Sequence, residues 1–503
     1  MAPIGRAGAT ADVERRAERP NIVVIVADDT GYGDPPCFDP RSSTPMPHVD
    51  QLARDGVRCT DAHSTSALCT PSRYALLTGR YHWRTPRPHP LVMPYDPPII
   101  EADRPTLPRF LAGAGYGTAC VGKWHLGFRY PKRGVDAAFT TTESEIDFGR
   151  PLEGGPCDVG FDAFYGTAGC STSDPPYAFI EDRRAVGTPS IPSSAELERL
   201  PGFFPGLMAE GFDLERVDVR HVEKAIEFVD RHRASRPGDP FFVYVALSAP
   251  HNPWLPPDFV RGASDEGPRG DMNALVDWCV GRLSAALDDR GLRDDTLLVF
   301  TSDHGPMPGQ NGHASAGPWR GFKNTVFEGG HRVPFVARWP SRIPAGRTSD
   351  DLVCLADLFA TFADLVGHAL PDDAAEDSFS ILPALMPVGA EEASTGPPLR
   401  PALVMDAGGT TSSVGDVAVR EGAWKLIVLT DPGNRPHAAR RELDPDAPTG
   451  VLLFDLATDP GERRDVAAQH PAIVARLRSL LERTRARGAR FLDYGAERVP
   501  TRG

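Results

Sequence analysis

The sequence predicts an α/β fold, with a large, mainly parallel sheet flanked by helices and a smaller C-terminal α+β subdomain that contains an antiparallel sheet. Short apolar runs rich in β-branched residues alternate with helix-length segments, which is typical of βαβ units. The first run, residues 22–26, is apolar without interruption. Such a run favours a strand that is covered by helices on both faces.

The elements of the large domain follow one another with few interruptions. Strands are predicted at residues 22–26, 118–121, 241–246, 297–301 and 333–339. Helices are predicted at residues 49–52, 71–77, 107–114, 219–232 and 272–287. Because helix-length segments separate most of these strands, we expect them to pair in parallel.

The C-terminal part of the chain shows a different pattern. A stretch rich in Pro, Gly, Ala and Glu at 387–401 is typical of a linker or long surface loop. Beyond it, the segments 417–419, 424–429 and 451–456 predict hairpin strands, and 471–487 predicts a helix. We therefore divide the chain into a catalytic domain, 1–390, and a small subdomain, 391–503.

Composition excludes several classes of protein. The 503 residues are 41% apolar and 24% charged, which is ordinary for a folded protein. A net charge of −14 argues against a nucleic-acid-binding surface, although local Lys and Arg in a cleft can still attract a small anion. The eight cysteines lack zinc-type spacing and are too sparse for a disulfide scaffold.

Membrane and export signals are also missing from the sequence pattern. No apolar run approaches the roughly 20 residues of a membrane span. Residues 1–20 are charged and contain no apolar signal-peptide core. A cytoplasmic location is therefore expected, although an exported chain with its leader removed would have the same sequence.

The residues that follow the predicted strands are the strongest guide to function, because ligands of open α/β sheets bind at the carboxyl ends of strands. Four strands lead into polar residues: Asp28 and Asp29, Lys123 and His125, His251, and Asp303 and His304. Taken together, three carboxylates and an imidazole predict a divalent-cation site, although each pair alone is more often a turn. On an extended backbone, Lys123 and His125 would point the same way.

A helix start provides a second chemical signal. Thr70 suits an N-cap, Pro71 suits the first helical position and Gly79 suits the C-terminal end. Cys69 would then lie at the positive end of a helix dipole with Arg73 one turn away, which favours an anion site. The alternative is a half-buried thiol beside an ordinary capped helix.

These residues also carry a resemblance. Residues 69–73, Cys-Thr-Pro-Ser-Arg, resemble the C-x-P-S-R signature of the type I, formylglycine-dependent sulfatases, which are arylsulfatase-like members of the alkaline-phosphatase superfamily. Residues 112–127, AGAGYGTACVGKWHLG, resemble the second signature of that family. The likeness runs from Asn21 through 333–334 and into 453–462, so it covers nearly the whole chain.

The resemblance implies a modified nucleophile and one divalent cation, most simply Ca²⁺. A separate formylglycine-generating maturation enzyme would oxidise Cys69 to Cα-formylglycine, whose hydrate attacks sulfur. The residues matched to the metal site are Asp28, Asp29, Cys69, Asp303 and His304. His304 departs from the Asn that is frequent at that position. Some sulfatases carry His there, and so do relatives that hydrolyse phosphate diesters or phosphonates.

The remaining matched residues are assigned roles by the same resemblance. Arg73 would orient the diol, Lys123 and Lys323 would hold sulfuryl oxygens, and His251 or Lys323 would protonate the leaving oxygen. His125 would remove a proton from the second hydroxyl to release sulfate. Two of only five lysines, among 54 basic residues, thus fall at proposed active-site positions.

The predicted function is hydrolysis of a small-molecule sulfate monoester, either an aryl sulfate or a sulfated sugar. The alternative is hydrolysis of a phosphate diester or phosphonate monoester. Residues near the motifs either shape an aryl or sugar pocket or merely pack: His82, Trp83, Trp254, Trp319, Arg320 and His331.

Overall fold

A computed structural model describes residues 19–85, 91–386, 397–408, 415–430 and 450–486. Its strands are β1 Asn21–Ala27, β2 Val57–Cys59, β3 Ala62–His63, β4 Gly117–Lys123, β5 Tyr130–Pro131, β6 Phe139–Thr140, β7 Ala163–Thr167, β8 Ile180–Glu181, β9 Arg184–Ala185, β10 Ile191–Pro192, β11 Leu207–Met208, β12 Phe241–Ala246, β13 Thr296–Ser302, β14 Phe335–Arg338, β15 Arg347–Ser349, β16 Val353–Cys354, β17 Leu403–Asp406, β18 Val417–Glu421, β19 Trp424–Leu429 and β20 Gly450–Asp455. Its α-helices are α1 Pro47–Arg54, α2 Cys69–Thr78, α3 Leu107–Gly113, α4 Val217–Ser235, α5 Pro268–Asp289, α6 Glu328–His331, α7 Leu358–Leu365, α8 Leu382–Leu385 and α9 Pro471–Ala486.

The main sheet has ten strands in the order β15-β2-β14-β13-β1-β12-β4-β7-β8-β9. Its five central strands, β13 to β7, all run parallel, with Val24 of β1 opposite Val299 of β13 and Tyr244 of β12. The strands β14, β8 and β9 pair antiparallel with their inner neighbours. The predicted α/β fold with a mainly parallel sheet and flanking helices is therefore confirmed, and the antiparallel pairs lie toward its edges.

Both faces of the sheet are covered, as the uninterrupted apolar run of β1 predicts. Ile22, Val24 and Val26 enter one core cluster, which also contains residues of α2, α3 and α7. Val23 and Ile25 enter the other, which contains residues of α1, α4 and α5. Alternate side chains of one strand thus fill two cores, because successive residues point to opposite faces.

The predicted helices all form, with ends that shift by a few residues. The predicted strand at 333–339 is shorter, because β14 begins at Phe335, and it pairs antiparallel with β13. The predicted cap of α2 is wrong: Leu68 is the N-cap, and Thr70 is the second residue inside the helix. Gly79 ends the helix in the left-handed conformation, at φ 62°, as predicted.

The C-terminal strands form a separate antiparallel sheet in the order β17-β18-β19-β20. Helix α9 packs on one face through Leu477, Leu480 and Leu481. The other face packs against the large domain, where Phe454 and Ile427 join a cluster with Ala75 of α2. The predicted small subdomain with an antiparallel sheet is thus present, with β17 as a strand that the sequence pattern did not indicate.

The structure bears only in part on two predictions, the domain boundary near residue 390 and the lack of a membrane span. Most of the predicted linker, 387–396, lies outside the described residues, so the boundary near residue 390 stays a prediction. Among the helices that the structure describes, none combines the length and apolar character needed to cross a membrane.

Candidate active site

The carboxyl ends of β1, β4, β12 and β13 meet at one edge of the sheet. The register pairs Ala27 of β1 with Ser302 of β13, so Asp28 and Asp303 continue from adjacent strand ends. Lys123 is the last residue of β4. Helix α2 begins at Cys69, which faces this edge, and its first turn is buried. The structure therefore brings together the residues that sequence reasoning placed at separate strand ends.

Four side chains form a candidate metal centre. Ligand atoms of Asp28, Cys69, Asp303 and His304 all lie within 4.8 Å of one another, and all four residues are buried. Cys69 Sγ is 3.7 Å from Asp28 Oδ1 and 3.2 Å from His304 Nε2. This set offers two carboxylates, an imidazole and the Cys69 sulfur around one point, which suits a divalent cation.

Asp29 borders the same centre from a strained backbone. Its φ of 71° lies in the left-handed region, which non-glycine residues rarely adopt. Its Oδ1 lies 3.4 Å from His304 Nε2, and its backbone N–H donates to Asp303 Oδ1. Strain of this kind persists only where surrounding contacts hold it, and it clusters at functional sites.

Three permanent cations neutralise the carboxylates. Arg73 donates through Nε and Nη2 to Asp303 Oδ2, at 3.1 and 2.9 Å. Lys123 Nζ lies 2.5 Å from Asp28 Oδ2, and Lys323 Nζ lies 2.7 Å from Asp29 Oδ1. All three cations are buried, so each carboxylate has a partner that compensates for its loss of water.

Burial and neighbouring charges shift the pKa values of Asp28, Lys123 and Asp303. Burial alone would raise the pKa of Asp28, but Lys123 and the other nearby cations hold it well below its ordinary value. Burial lowers the pKa of Lys123, but Asp28, Cys170 and Cys69 together raise it well above its ordinary value. Burial and the charge of Asp28 raise the pKa of Asp303.

The nucleophile position and its imidazole neighbour are also perturbed. The pKa of the Cys69 thiol is lowered, although contact with Cys170 and burial oppose the change, because Lys123 and Lys323 favour the thiolate. The pKa of His304 rises to about 9 despite burial, since Asp303 and the Cys69 sulfur favour the protonated ring.

The two remaining predicted histidines approach from loops. His125 has a φ of 54°, so the extended backbone expected between Lys123 and His125 is wrong: β4 ends at Lys123. The His125 ring nevertheless reaches the site, with Nε2 2.9 Å from the carbonyl oxygen of Val92. His251 follows a buried strand end, and its Nδ1 lies 2.5 Å from the carbonyl oxygen of Asn252.

Cys170 is a site residue that sequence reasoning missed. Its Sγ lies 3.8 Å from His125 Nδ1 and 3.8 Å from His251 Nε2, between the two loop histidines. It follows β7, a five-residue strand that contains Gly166 and that the sequence pattern did not predict. The strand-end rule would have pointed to this loop had the strand been recognised.

Comparison with known proteins decides the family. The sulfatase family model matches residues 20–368. An N-acetylgalactosamine-6-O-sulfatase of Bacteroides thetaiotaomicron is 32% identical, over 95% of this chain and 95% of the relative. The chain belongs to the sulfatase family. The sequence resemblance is confirmed, and since such relatives match nearly end to end, the protein is a sulfatase enzyme, a hydrolase of sulfuric esters.

Two further comparisons support the same family and fold. Human arylsulfatase A is 34% identical, over 92% of this sulfatase and 87% of the relative. A solved sulfatase structure described with glycosaminoglycan metabolism by Bacteroides thetaiotaomicron has a TM-score of 0.79 at 30% identity. The superposition covers 93% of this chain and 100% of the chain in that structure.

The predicted pocket residues of the sulfatase separate into two groups. Trp254 lies beside His251 in the same loop and donates from Nε1 to the carbonyl oxygen of Pro250. Trp319 packs between the Tyr32 ring and the Arg332 guanidinium, four residues before Lys323. These two tryptophans therefore lie in segments that also carry site residues.

The residues of the other group contact the C-terminal subdomain. Trp83 stacks on Tyr81, and His82 lies 3.4 Å from Asp406 of β17. Arg320 donates to the Glu462 carbonyl and covers the Phe327 ring. His331 is fully buried beside Lys425, so of the two alternatives, shaping a pocket or packing, the structure shows packing.

Lys425 belongs to a buried cluster where the C-terminal sheet meets the large domain. We call it the clamp cluster, and its members are Asp61, His63, Glu328, His331, Arg420, Lys425 and Glu462. Lys425 Nζ lies 3.0 Å from Glu328 Oε1 and 2.8 Å from Glu462 Oε1. Burial raises the pKa of Glu462 to about 7. Lys425, one of the five lysines, is therefore part of a buried ion-pair network at the boundary between the two sheets.

Proposed function

We propose that this sulfatase hydrolyses the sulfate monoester of a sugar or an aryl alcohol through a formylglycine hydrate at position 69, beside one bound Ca²⁺. The observation that supports the proposal is the position of Cys69: a buried residue at the start of α2, 3.7 Å from Asp28 and 3.2 Å from His304. The sequence Cys-Thr-Pro-Ser-Arg supplies the context that a formylglycine-generating maturation enzyme would act on.

The residues at the centre fit a divalent cation. Asp28, Asp29 and Asp303 offer carboxylate oxygens, the ligands that Ca²⁺ favours, and His304 adds a nitrogen. Despite burial, Asp303 and the Cys69 sulfur raise the pKa of His304 to about 9, and a cation bound at this point would take the place of the proton on the ring. Bound there, the cation would lower the pKa of a hydroxyl at position 69 and balance charge on the sulfuryl group.

The chain's own residues would divide the remaining work. Lys123 is held by Asp28 and Lys323 by Asp29, and both carboxylates border position 69. The two ammonium groups are therefore placed to donate to sulfuryl oxygens. Arg73 holds Asp303 by two hydrogen bonds and fixes the orientation of that carboxylate. The diol of a formylglycine would supply the nucleophile, and its return to an aldehyde would let sulfate leave.

Proton transfer falls to the loop histidines. His251 is partly exposed, which places it on the open side of the site, where a leaving-group oxygen would emerge. It would donate a proton to that oxygen, with Lys323 as the alternative donor. His125 is buried with one nitrogen tied to the Val92 carbonyl, and it would take a proton from the hydroxyl at position 69.

Among substrates, we propose 6-O-sulfated N-acetylgalactosamine as the first to test. The support is the relative from Bacteroides thetaiotaomicron, whose name carries that activity and which matches over 95% of this chain. Arylsulfatase A matches at similar identity, so aryl sulfates belong in the same panel.

The decisive experiment compares kcat/KM for sulfate monoesters with kcat/KM for a phosphate diester and a phosphonate that have the same leaving group. We expect the sulfate esters to be preferred, with formylglycine detected by mass spectrometry in the tryptic peptide 59–73 of active protein. A preference for the phosphorus esters would replace the proposed reaction with that of a diester or phosphonate hydrolase. Full activity with an intact Cys69 thiol would refute the proposed nucleophile.

A further inference from the structure

The loop after β7 places a second thiol beside the nucleophile position. Cys170 is 3% exposed, and its Sγ contacts the rings of both loop histidines, each at 3.8 Å. The proposed hydrolytic mechanism assigns it no role. Cys69 and Cys170 are both free thiols in the structure.

The two sulfur atoms border one carboxylate. Cys69 Sγ lies 3.7 Å from Asp28 Oδ1. Cys170 Sγ, His251 Nε2 and an Asp28 carboxylate oxygen lie within 4.8 Å of one another. The two thiols are close enough for Cys170 to act on the pKa of the Cys69 thiol, which it raises. Both sulfur atoms thus border the Asp28 carboxylate, and a disulfide requires them to approach each other to about 2.05 Å.

We propose that Cys69 and Cys170 form a disulfide in chains that still carry the encoded thiol at position 69, when those chains meet a peroxide. The peroxide oxidises one thiol to a sulfenic acid and releases one water. The second thiol then attacks the oxidised sulfur, the S–S bond forms and a second water leaves. Overall, two thiols lose two electrons and two protons, and one hydrogen peroxide becomes two waters.

The burial of the two thiols determines which oxidant can reach them, and their positions determine which part of the site a disulfide would block. Both side chains are almost fully buried, so a small oxidant such as hydrogen peroxide has better access than a bulky disulfide reagent. The bond would join the start of α2 to the loop after β7, across the space where a sulfuryl group would bind. In chains that fold before Cys69 is converted to formylglycine, the disulfide would block the substrate-binding space. It would also protect Cys69 from irreversible oxidation to sulfinic acid.

The test uses full-length protein made without a maturation enzyme, so that position 69 remains cysteine. The protein is treated with hydrogen peroxide, remaining thiols are alkylated, and an unreduced tryptic digest is analysed by mass spectrometry. We expect peptide 59–73 joined to peptide 134–183, with the bond assigned to Cys69 and Cys170 by fragmentation. A thiol reductant should separate them.

Two variants control the assignment. Cys157→Ser removes the other cysteine of peptide 134–183 and should leave the bridge unchanged, whereas Cys170→Ser should reduce joined peptide by at least about tenfold. Thermal unfolding of both variants shows that each is folded. Separate sulfinic acids on Cys69 and Cys170, or a bridge that persists in Cys170→Ser, would overturn the proposal. Converted chains have no thiol at position 69, so a failure here leaves the proposed hydrolytic reaction untouched.

Discussion

Exchange of the two active-site lysines for arginine tests the roles of both side chains without changing formal charge. Lys123 is fully buried, and its Nζ lies 2.5 Å from Asp28. Its neighbour Arg73 already donates to the Lys123 carbonyl oxygen at 3.3 Å. A planar guanidinium is wider than an ammonium and cannot place a nitrogen at the same point. We therefore expect Lys123→Arg to displace a bound substrate, Asp28 or both.

The expected loss follows from that displacement. A misplacement of about 1 Å costs on the order of 100-fold in rate. Removal of one oxyanion donor costs about 10²–10³-fold, or ~3–4 kcal/mol of transition-state stabilisation. We expect Lys123→Arg to lower kcat/KM by about 10²–10³-fold. Lys323 is 7% exposed, so an arginine there has some room to adjust, and we expect Lys323→Arg to lower kcat/KM by about 10²-fold.

The assay is steady-state hydrolysis of a chromogenic aryl sulfate by protein whose formylglycine content has been measured for every variant. Lys132→Arg is the matched control, because its side chain is 37% exposed and pairs with Glu145 at the surface. It should stay within about twofold of the parent, since surface changes seldom alter stability by more than about 0.5 kcal/mol. If Lys123→Arg and Lys323→Arg were tolerated as well as Lys132→Arg, the proposed contacts with sulfuryl oxygens would be refuted.

Three further changes have outcomes that the structure specifies. Chelation should abolish turnover and Ca²⁺ should restore it; restoration by Mn²⁺ or Zn²⁺ alone would contradict the calcium assignment. His251→Ala should lower kcat most for sulfate esters with poor leaving groups, and an equal loss across leaving groups would remove it as the proton donor. Lys425→Met should destabilise the fold by about 3–5 kcal/mol in urea unfolding, because Glu328 and Glu462 lose a buried partner. If the unfolding midpoint is unchanged while turnover falls, the clamp cluster would have a catalytic rather than a structural role.

The parts of the fold that the sequence predicts are those with a long, regular pattern. Strand β1 is seven residues long and buried throughout, and it pairs on both sides as its apolar run predicts. The antiparallel partners near the sheet edges, such as β8 and β9, have two residues each. A two-residue strand has no periodicity to detect, so its pairing depends on tertiary contacts alone.

The residues of the candidate site also fall into those that a regular sequence pattern predicts and those that depend on tertiary contacts. Asp28, Lys123 and Asp303 were predictable because each follows a recognisable strand in a sheet whose carboxyl ends meet at one edge. Thr70 shows the opposite case: its local pattern predicts a cap, but its hydroxyl donates to the His125 carbonyl and accepts from the Val92 N–H. Lys425 reads as an ordinary residue of a hairpin strand, and its buried partners lie far away in the sequence.

The charges of the site bear on the proposal that a cation and a sulfate ester bind there together. Asp28, Asp29 and Asp303 are matched by Arg73, Lys123 and Lys323, so the buried centre is close to neutral without a metal. A neutral, dry centre gives a monoanionic sulfuryl group little net attraction, whereas a bound divalent cation leaves an excess positive charge. The cation would also compete with Lys123 for Asp28 and with Lys323 for Asp29, because each carboxylate would then have the cation as a second partner. The ammonium groups would be free to turn toward the substrate, so loss of the cation should weaken both the nucleophile and the binding of sulfate.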